Sequence, residues 1–163
     1  MKLQISSRLA IFALLELAAH PERQLSVAEI GKIYGASSHH LAKVMHVLGR
    51  AGLVHSVRGA GGGYQFGGNS RRITLLDIIR LFEDLGSKGV SGLPEDRADA
   101  GRALREILEE VDATVQATLG SITIATALKL MNRRQSQASR HTRRRAPRSD
   151  MDRRKGRVTA SPG

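Results

Sequence analysis

Apolar positions along the chain follow a helical period nearly everywhere, with one short alternating stretch between residues 53 and 66. Residues 9–19 are apolar almost throughout, which suits a first helix packed on several sides. Ser6 or Ser7 is placed to cap it, and His20-Pro21 ends it. Ser26 opens a second helix with Glu29 three residues on, the spacing of a capping box. Val27, Ile30 and Ile33 keep the helical period and Gly35 closes the segment. A third helix is expected from near Ser38 to about Ala51, with Gly52 as its stop. Two short helices joined by a tight glycine-containing turn form a helix-turn-helix.

The third helix has two unlike faces. At about 100° per residue, Leu41, Val44, Met45 and Leu48 share one side, while His39, Lys43, His46 and Arg50 fall within roughly 60° on the other. That second face holds only donor-capable side chains, two of them permanently cationic, which suits phosphates and base edges. An ordinary solvated face is the alternative, and the following segment decides between them. Residues 53–58 alternate and are β-branched, residues 59–63 are a glycine-rich turn, and Tyr64-Gln65-Phe66 returns. A hairpin directly after a helix-turn-helix makes a winged helix, with Arg58 near the wing tip, in reach of a minor groove or a phosphate. The glycines do not read as a nucleotide-binding loop, because neither a Lys-Ser/Thr pair nor a helix start follows them.

Further on, Thr74 with Asp77 caps a helix over 73–85, residues 86–93 form a glycine-containing loop, and Pro94 heads a long helix with Glu95, Asp96 and Asp99 in its first turns. Leu104, Leu108, Val111, Val115 and Leu119 step by 4, 3, 4 and 4, with Ile107 alongside, giving an apolar seam suited to a partner helix. Packing inside the monomer is the alternative. Thr123 opens a short closing helix through Leu130. The expected fold is mainly α with a small β-hairpin wing: a winged helix-turn-helix domain over 1–85, a loop and dimerisation helix over 86–132, and a basic disordered tail over 133–163.

Charge refines this scheme. The net charge is +11, from 26 Lys and Arg against 15 Asp and Glu, and it is uneven. Residues 1–72 carry +6, residues 73–132 carry −4, and residues 133–163 carry +9 with almost no large apolar side chain. The last segment cannot bury enough surface to offset its ordering entropy. It is a solvated tail, a phosphate-attracting arm or a targeting or partner-recruiting peptide. The sequence has no cysteine and no Trp, and aromatics are 3%. Disulfide frameworks, cysteine zinc fingers, thiol nucleophiles and fully cysteine-ligated clusters are thereby excluded, and base-stacking single-strand modules are disfavoured. The six histidines have no metal-binding spacing and no Ser or Asp nucleophile system beside them, so neither a metal nor an enzyme is expected. The run over residues 9–19 is 11 residues long and broken by Glu16, too short to span a bilayer, and no signal cleavage layout follows it, so a cytoplasmic protein is expected.

These stretches resemble the Rrf-two family of bacterial winged-helix transcription regulators. The resemblance rests on Leu25-Ser26-Val27-Ala28-Glu29-Ile30, Ser38-His39-His40-Leu41-Ala42-Lys43-Val44, Ala51-Gly52-Leu53-Val54, Arg58-Gly59 with Gly62-Gly63, and Ile73-Thr74-Leu75-Leu76-Asp77-Ile78-Ile79. It implies a homodimeric repressor on a palindromic operator of double-stranded DNA. Its contacts would come from Ser38, His39, His40, Lys43, His46 and Arg50 on the helix and from Arg58, Gly59, Gly62 and Gly63 on the wing. Dimerisation would use the seam from Leu104 to Leu119. Cluster-binding relatives carry three cysteines in the loop before the dimer helix, here 86–103. This chain has none, so the expected cofactor is none, and any signal comes from a small ligand, a partner protein or nowhere. A protein-binding adaptor that docks a partner through 104–119 is the alternative from another class. If the tail is a phosphate-attracting arm, deleting 133–163 weakens binding to random DNA and leaves operator preference intact. The salt slope should fall by about 0.9 for each phosphate that the tail neutralises. Salt-dependent titration of both DNAs checks this, and failure to discriminate the operator after truncation would refute it.

Overall fold

A computed structural model describes residues 2–59, 61–85 and 98–145, with the backbone alone at 135 and 138–145. It has six helices and one hairpin among the described residues: α1 (Ile5–Ala19), α2 (Val27–Tyr34), α3 (Ser38–Arg50), β1 (Val54–Val57), β2 (Gly63–Phe66), α4 (Leu75–Ile79), α5 (Asp99–Ser121) and α6 (Ile124–Arg145). The chain divides into two compact units, residues 1–129 and 130–163. The winged helix lies in the first. The loop over 86–93, the helix start at Pro94 with Glu95 and Asp96, and the tail beyond 145 fall outside the described residues.

The core gathers on α1, whose Ala10, Ala13, Leu14 and Leu17 are fully buried. Helices α2, α3 and α4 and strand β2 all pack on it. Its start differs from the sequence expectation: Gln4 occupies the N-cap without a side-chain bond, and both serines serve tertiary contacts instead. The buried Ser7 hydroxyl donates to Glu83 Oε1, which also accepts the Gln4 N–H at 3.2 Å. Ser6 Oγ lies 3.0 Å from His40 Nε2.

Local signals set the helix-turn-helix as the sequence predicts. Ser26 and Glu29 form the capping box, with Ser26 N–H donating to Glu29 Oε2 at 2.8 Å and Glu29 N–H to Ser26 Oγ at 3.2 Å. The Ser26 N–H, first among several causes, holds the Glu29 carboxyl below its ordinary range. Gly35 ends α2 in the left-handed region at φ 62°. A Cβ at Gly31 would stand 2.9 Å from the Ala36 carbonyl oxygen, so this turn closes only over glycine.

In the wing, β1 and β2 pair antiparallel with Val54 opposite Phe66 and Val57 opposite Gly63. Leu25 adds a bridge on the other edge of β2, its N–H donating to the Tyr64 carbonyl at 3.0 Å and its carbonyl accepting from Tyr64 N–H at 2.8 Å. Thr74 and Asp77 cap α4 as expected, but α4 has five residues rather than running over 73–85. The chain turns after it and brings Glu83 to the start of α1. Thr123 Oγ1 accepts from Thr126 N–H at 3.2 Å at the head of α6, which continues to Arg145 rather than ending near Leu130. Residues 133–145 are therefore helical where a coil was expected. Arg, Gln and Ala are good helix formers, and the first Pro or Gly beyond is Pro147. Ile124 N–H donates to the Ile73 carbonyl and Leu75 N–H to the Ile122 carbonyl, both at 2.9 Å, stitching the α5–α6 junction to the segment before α4.

A Cβ at Gly63 would stand 2.6 Å from the Leu25 carbonyl oxygen, whereas one at Gly49 in α3 meets nothing within 4 Å. Gly63→Ala should therefore destabilise by about 1–3 kcal/mol through overpacking. Gly49→Ala should stabilise by up to about 1 kcal/mol through helix propensity. Urea unfolding of the two variants checks both signs.

Candidate nucleic-acid interface

The roll of α3 about its axis is fixed by its apolar side. Leu41, Val44, Met45 and Leu48 are each at most 2% exposed. The opposite side must then face solvent, and His39, Lys43, His46 and Arg50 are all exposed, as is Ser38 at the first position. The periodicity therefore places these four side chains on one outward arc. Lys and Arg donate and cannot accept, so the arc suits phosphate oxygens and the acceptor atoms of base edges.

His40 lies off that arc. It is half-buried, and its bond to Ser6 ties the first turn of α3 to α1. A second tie holds the end of α2. The rings of Phe12 and Tyr34 stack with centroids 4.9 Å apart and planes 10° apart, and the Tyr34 hydroxyl donates to Glu16 Oε2 at 3.0 Å. Burial first, and then the Glu16 bond and charge, push the Tyr34 phenol up to about 12. Tyr34 precedes Gly35 directly, so the helix-turn-helix is clamped to α1 on both sides of its turn. Sequence reading missed both ties, because each joins residues far apart in the chain.

Arg58 follows β1 and is exposed. Gly59 at φ 122° and Gly61 at φ 82° occupy the left-handed region, and Gly62 N–H donates to the Gly59 carbonyl at 2.9 Å. A Cβ at Gly62 would lie 2.6 Å from the Val57 carbonyl oxygen. Gly59, Gly62 and Gly63 thus shape the wing, and Arg58 supplies the charge. Away from the wing, α5 is held at one end by Gln116. Its Oε1 accepts from Arg80 Nη2 at 2.7 Å, and its Nε2 donates to the Leu85 carbonyl at 3.1 Å. None of its residues is buried. Leu104, Ile107, Leu108 and Val111 are 57%, 59%, 40% and 52% exposed. Val115 and Leu119 are half-buried. Among the described residues no helix is long and apolar enough to cross a membrane.

Because its folded pKa lies above the ordinary value of 10, Tyr34 adds stability that is intact below pH 10 and lost as pH rises through about 12. Tyr34→Phe should remove the tyrosinate absorbance that develops near pH 12 and flatten the loss of stability between pH 10 and 12. Ultraviolet titration and chemical unfolding across that range measure the two effects.

Comparison with known proteins bears on the family and the fold. The family model Rrf2, described as an iron-dependent transcriptional regulator, matches residues 3–129. The HTH-type transcriptional regulator BadM of Rhodopseudomonas palustris is 46% identical over 132 residues, covering 81% of this chain and 84% of that protein. CymR of Bacillus subtilis, described as the global cysteine regulator, has a solved structure that matches with a TM-score of 0.68 at 31% identity, over 80% of this chain and 98% of its own. The structure of T. potens IscR matches with a TM-score of 0.65 at 33% identity, over 79% and 87%. These relatives are regulators rather than enzymes. The iron in the family description finds no fitting donor set here: the sequence has no thiolate to offer a cluster, and among the described residues no three of His, Asp and Glu come together. On its winged-helix fold and a match spanning most of its length, the chain belongs to the Rrf2 family of DNA-binding transcription regulators.

Proposed function

We propose that this chain is a homodimeric repressor that binds a palindromic operator without an iron–sulfur cluster. The reading is carried by one observation, the outward arc of His39, Lys43, His46 and Arg50 on a helix whose roll is locked by its buried side. In a winged helix this arc enters the major groove, with Ser38 at its leading edge, and Arg58 reaches a flanking minor groove or phosphate. His40 supports the arc from behind. Two such half-sites about one helical turn apart require two copies, and the repressor acts by occupying the promoter.

The second copy is the occupant proposed for the α5 seam. The seam repeats at steps of 3 and 4 and is largely exposed, while Glu106, Glu109 and Glu110 stand towards the other side of the helix. A two-fold axis lets one such surface cover its own copy. The expected location is the cytoplasm, and any signal comes from a small ligand, a partner protein or nowhere.

Lys43→Ala or Arg58→Ala should lower affinity for a fragment recovered by genome-wide mapping of bound DNA by about tenfold, with mass and helicity unchanged. Gel-shift titration beside sedimentation velocity measures both, and undiminished binding would rule out the assigned surface. Leu108→Asp should halve the sedimenting mass and weaken operator binding. Weak, sequence-indifferent DNA binding together with a stable heteromeric complex would instead favour an adaptor that docks its partner through 104–119.

A further inference from the structure

We infer that each operator half-site presents a guanine to the first two turns of α3, read in the major groove by Lys43 with His39 beside it. This rests on the operator-binding reading above and adds the chemistry of what is read.

The N-terminal residues of a recognition helix reach base edges, whereas its far end runs out towards the backbone. The exposed side chains of the first two turns of α3 are Ser38, His39, Ala42 and Lys43. His40 is taken up by Ser6 of α1, and Arg50 stands in the last turn, suited to a phosphate. Ala42 has no polar group, so hydrogen-bond readout falls to the other three.

All three can donate, and Lys43 can only donate. Residues 38–50 contain no Asn or Gln, the side chains that pair bidentately with adenine, and no Asp or Glu to accept from the cytosine amino group. The Lys43 ammonium carries three donors and no acceptor. In the major groove guanine alone sets two acceptors, O6 and N7, side by side. Adenine places an amino donor beside its N7, and thymine offers O4 alone. A donor-only group therefore gains most at guanine and meets a like donor at adenine. His39 precedes Lys43 by one helical turn on the same arc and supplies a further ring N–H for N7. The exclusion of His40 follows from the Ser6 contact and could not be read from spacing alone.

Affinity selection of the full-length chain from a pool of random-sequence duplexes tests this. The enriched motif is expected to be an inverted repeat with guanine at a fixed position in each half. Replacing that base by 7-deazaguanine, which lacks the N7 acceptor, should cost about tenfold in affinity. Inosine, which keeps both O6 and N7, should cost far less. Lys43→Gln should move the preference at that position towards adenine. An enriched motif without the guanine, or a Lys43→Gln variant that selects the same motif with uniformly lower affinity, would overturn the inference, since Lys43 would then serve a phosphate. A pool with no enriched motif would overturn the operator-binding reading itself.

Discussion

The DNA-binding half of this protein depends on the burial of one helix. α1 is apolar on nearly every side, and its alanines at 10 and 13 let neighbouring backbones approach closely while Leu14 and Leu17 fill the space between them. Burial of apolar area at about 25 cal/mol per Å² makes such a helix the natural anchor of a small domain. The polar contacts act on that anchor. Ser6, Ser7 and Glu16 are α1 residues, and they engage His40, Glu83 and Tyr34 in three different later parts of the chain. The position of α3 is thus set from behind, by side chains of α1.

Sequence legibility followed the range of the interaction. The Ser26–Glu29 and Thr74–Asp77 boxes are three-residue signals, and both are present in the structure. The buried side of α3 is a local periodicity and also appears as read. The bridges Leu25–Tyr64 and Thr74–Thr123 pair single residues at long separation, with no alternation to announce them. The same holds for Ser7 and Glu83, whose contact accompanies the early end of α4, where the apolar pattern by itself asked for more turns. The extension of α6 to Arg145 had a signal of another kind, since helix propensity without an apolar face escapes a reading based on hydrophobic period.

The charge and the cysteine count carry different weight once the fold is known. Most of the excess positive charge lies beyond residue 132 in the sequence, outside the segments that form the candidate interface. Of the nine Lys and Arg in residues 1–72, Lys43, Arg50 and Arg58 stand on that interface. The missing cysteines leave the winged-helix architecture untouched, because no thiol takes part in its core or its turns. What they remove is the thiolate ligation a cluster would use, and among the described residues no group of His, Asp and Glu takes its place.

The separation of the two faces of α3 bears on how such a regulator diversifies. The side chains that hold the helix are buried to within 2%, and those that would meet DNA contribute little to that burial. Surface replacements away from caps and cores usually change stability by no more than about 0.5 kcal/mol. On the proposed reading, a few exchanges at 39, 43 and 46 would rewrite the address while the scaffold stays intact. Duplicated copies can part ways in target without first parting ways in shape.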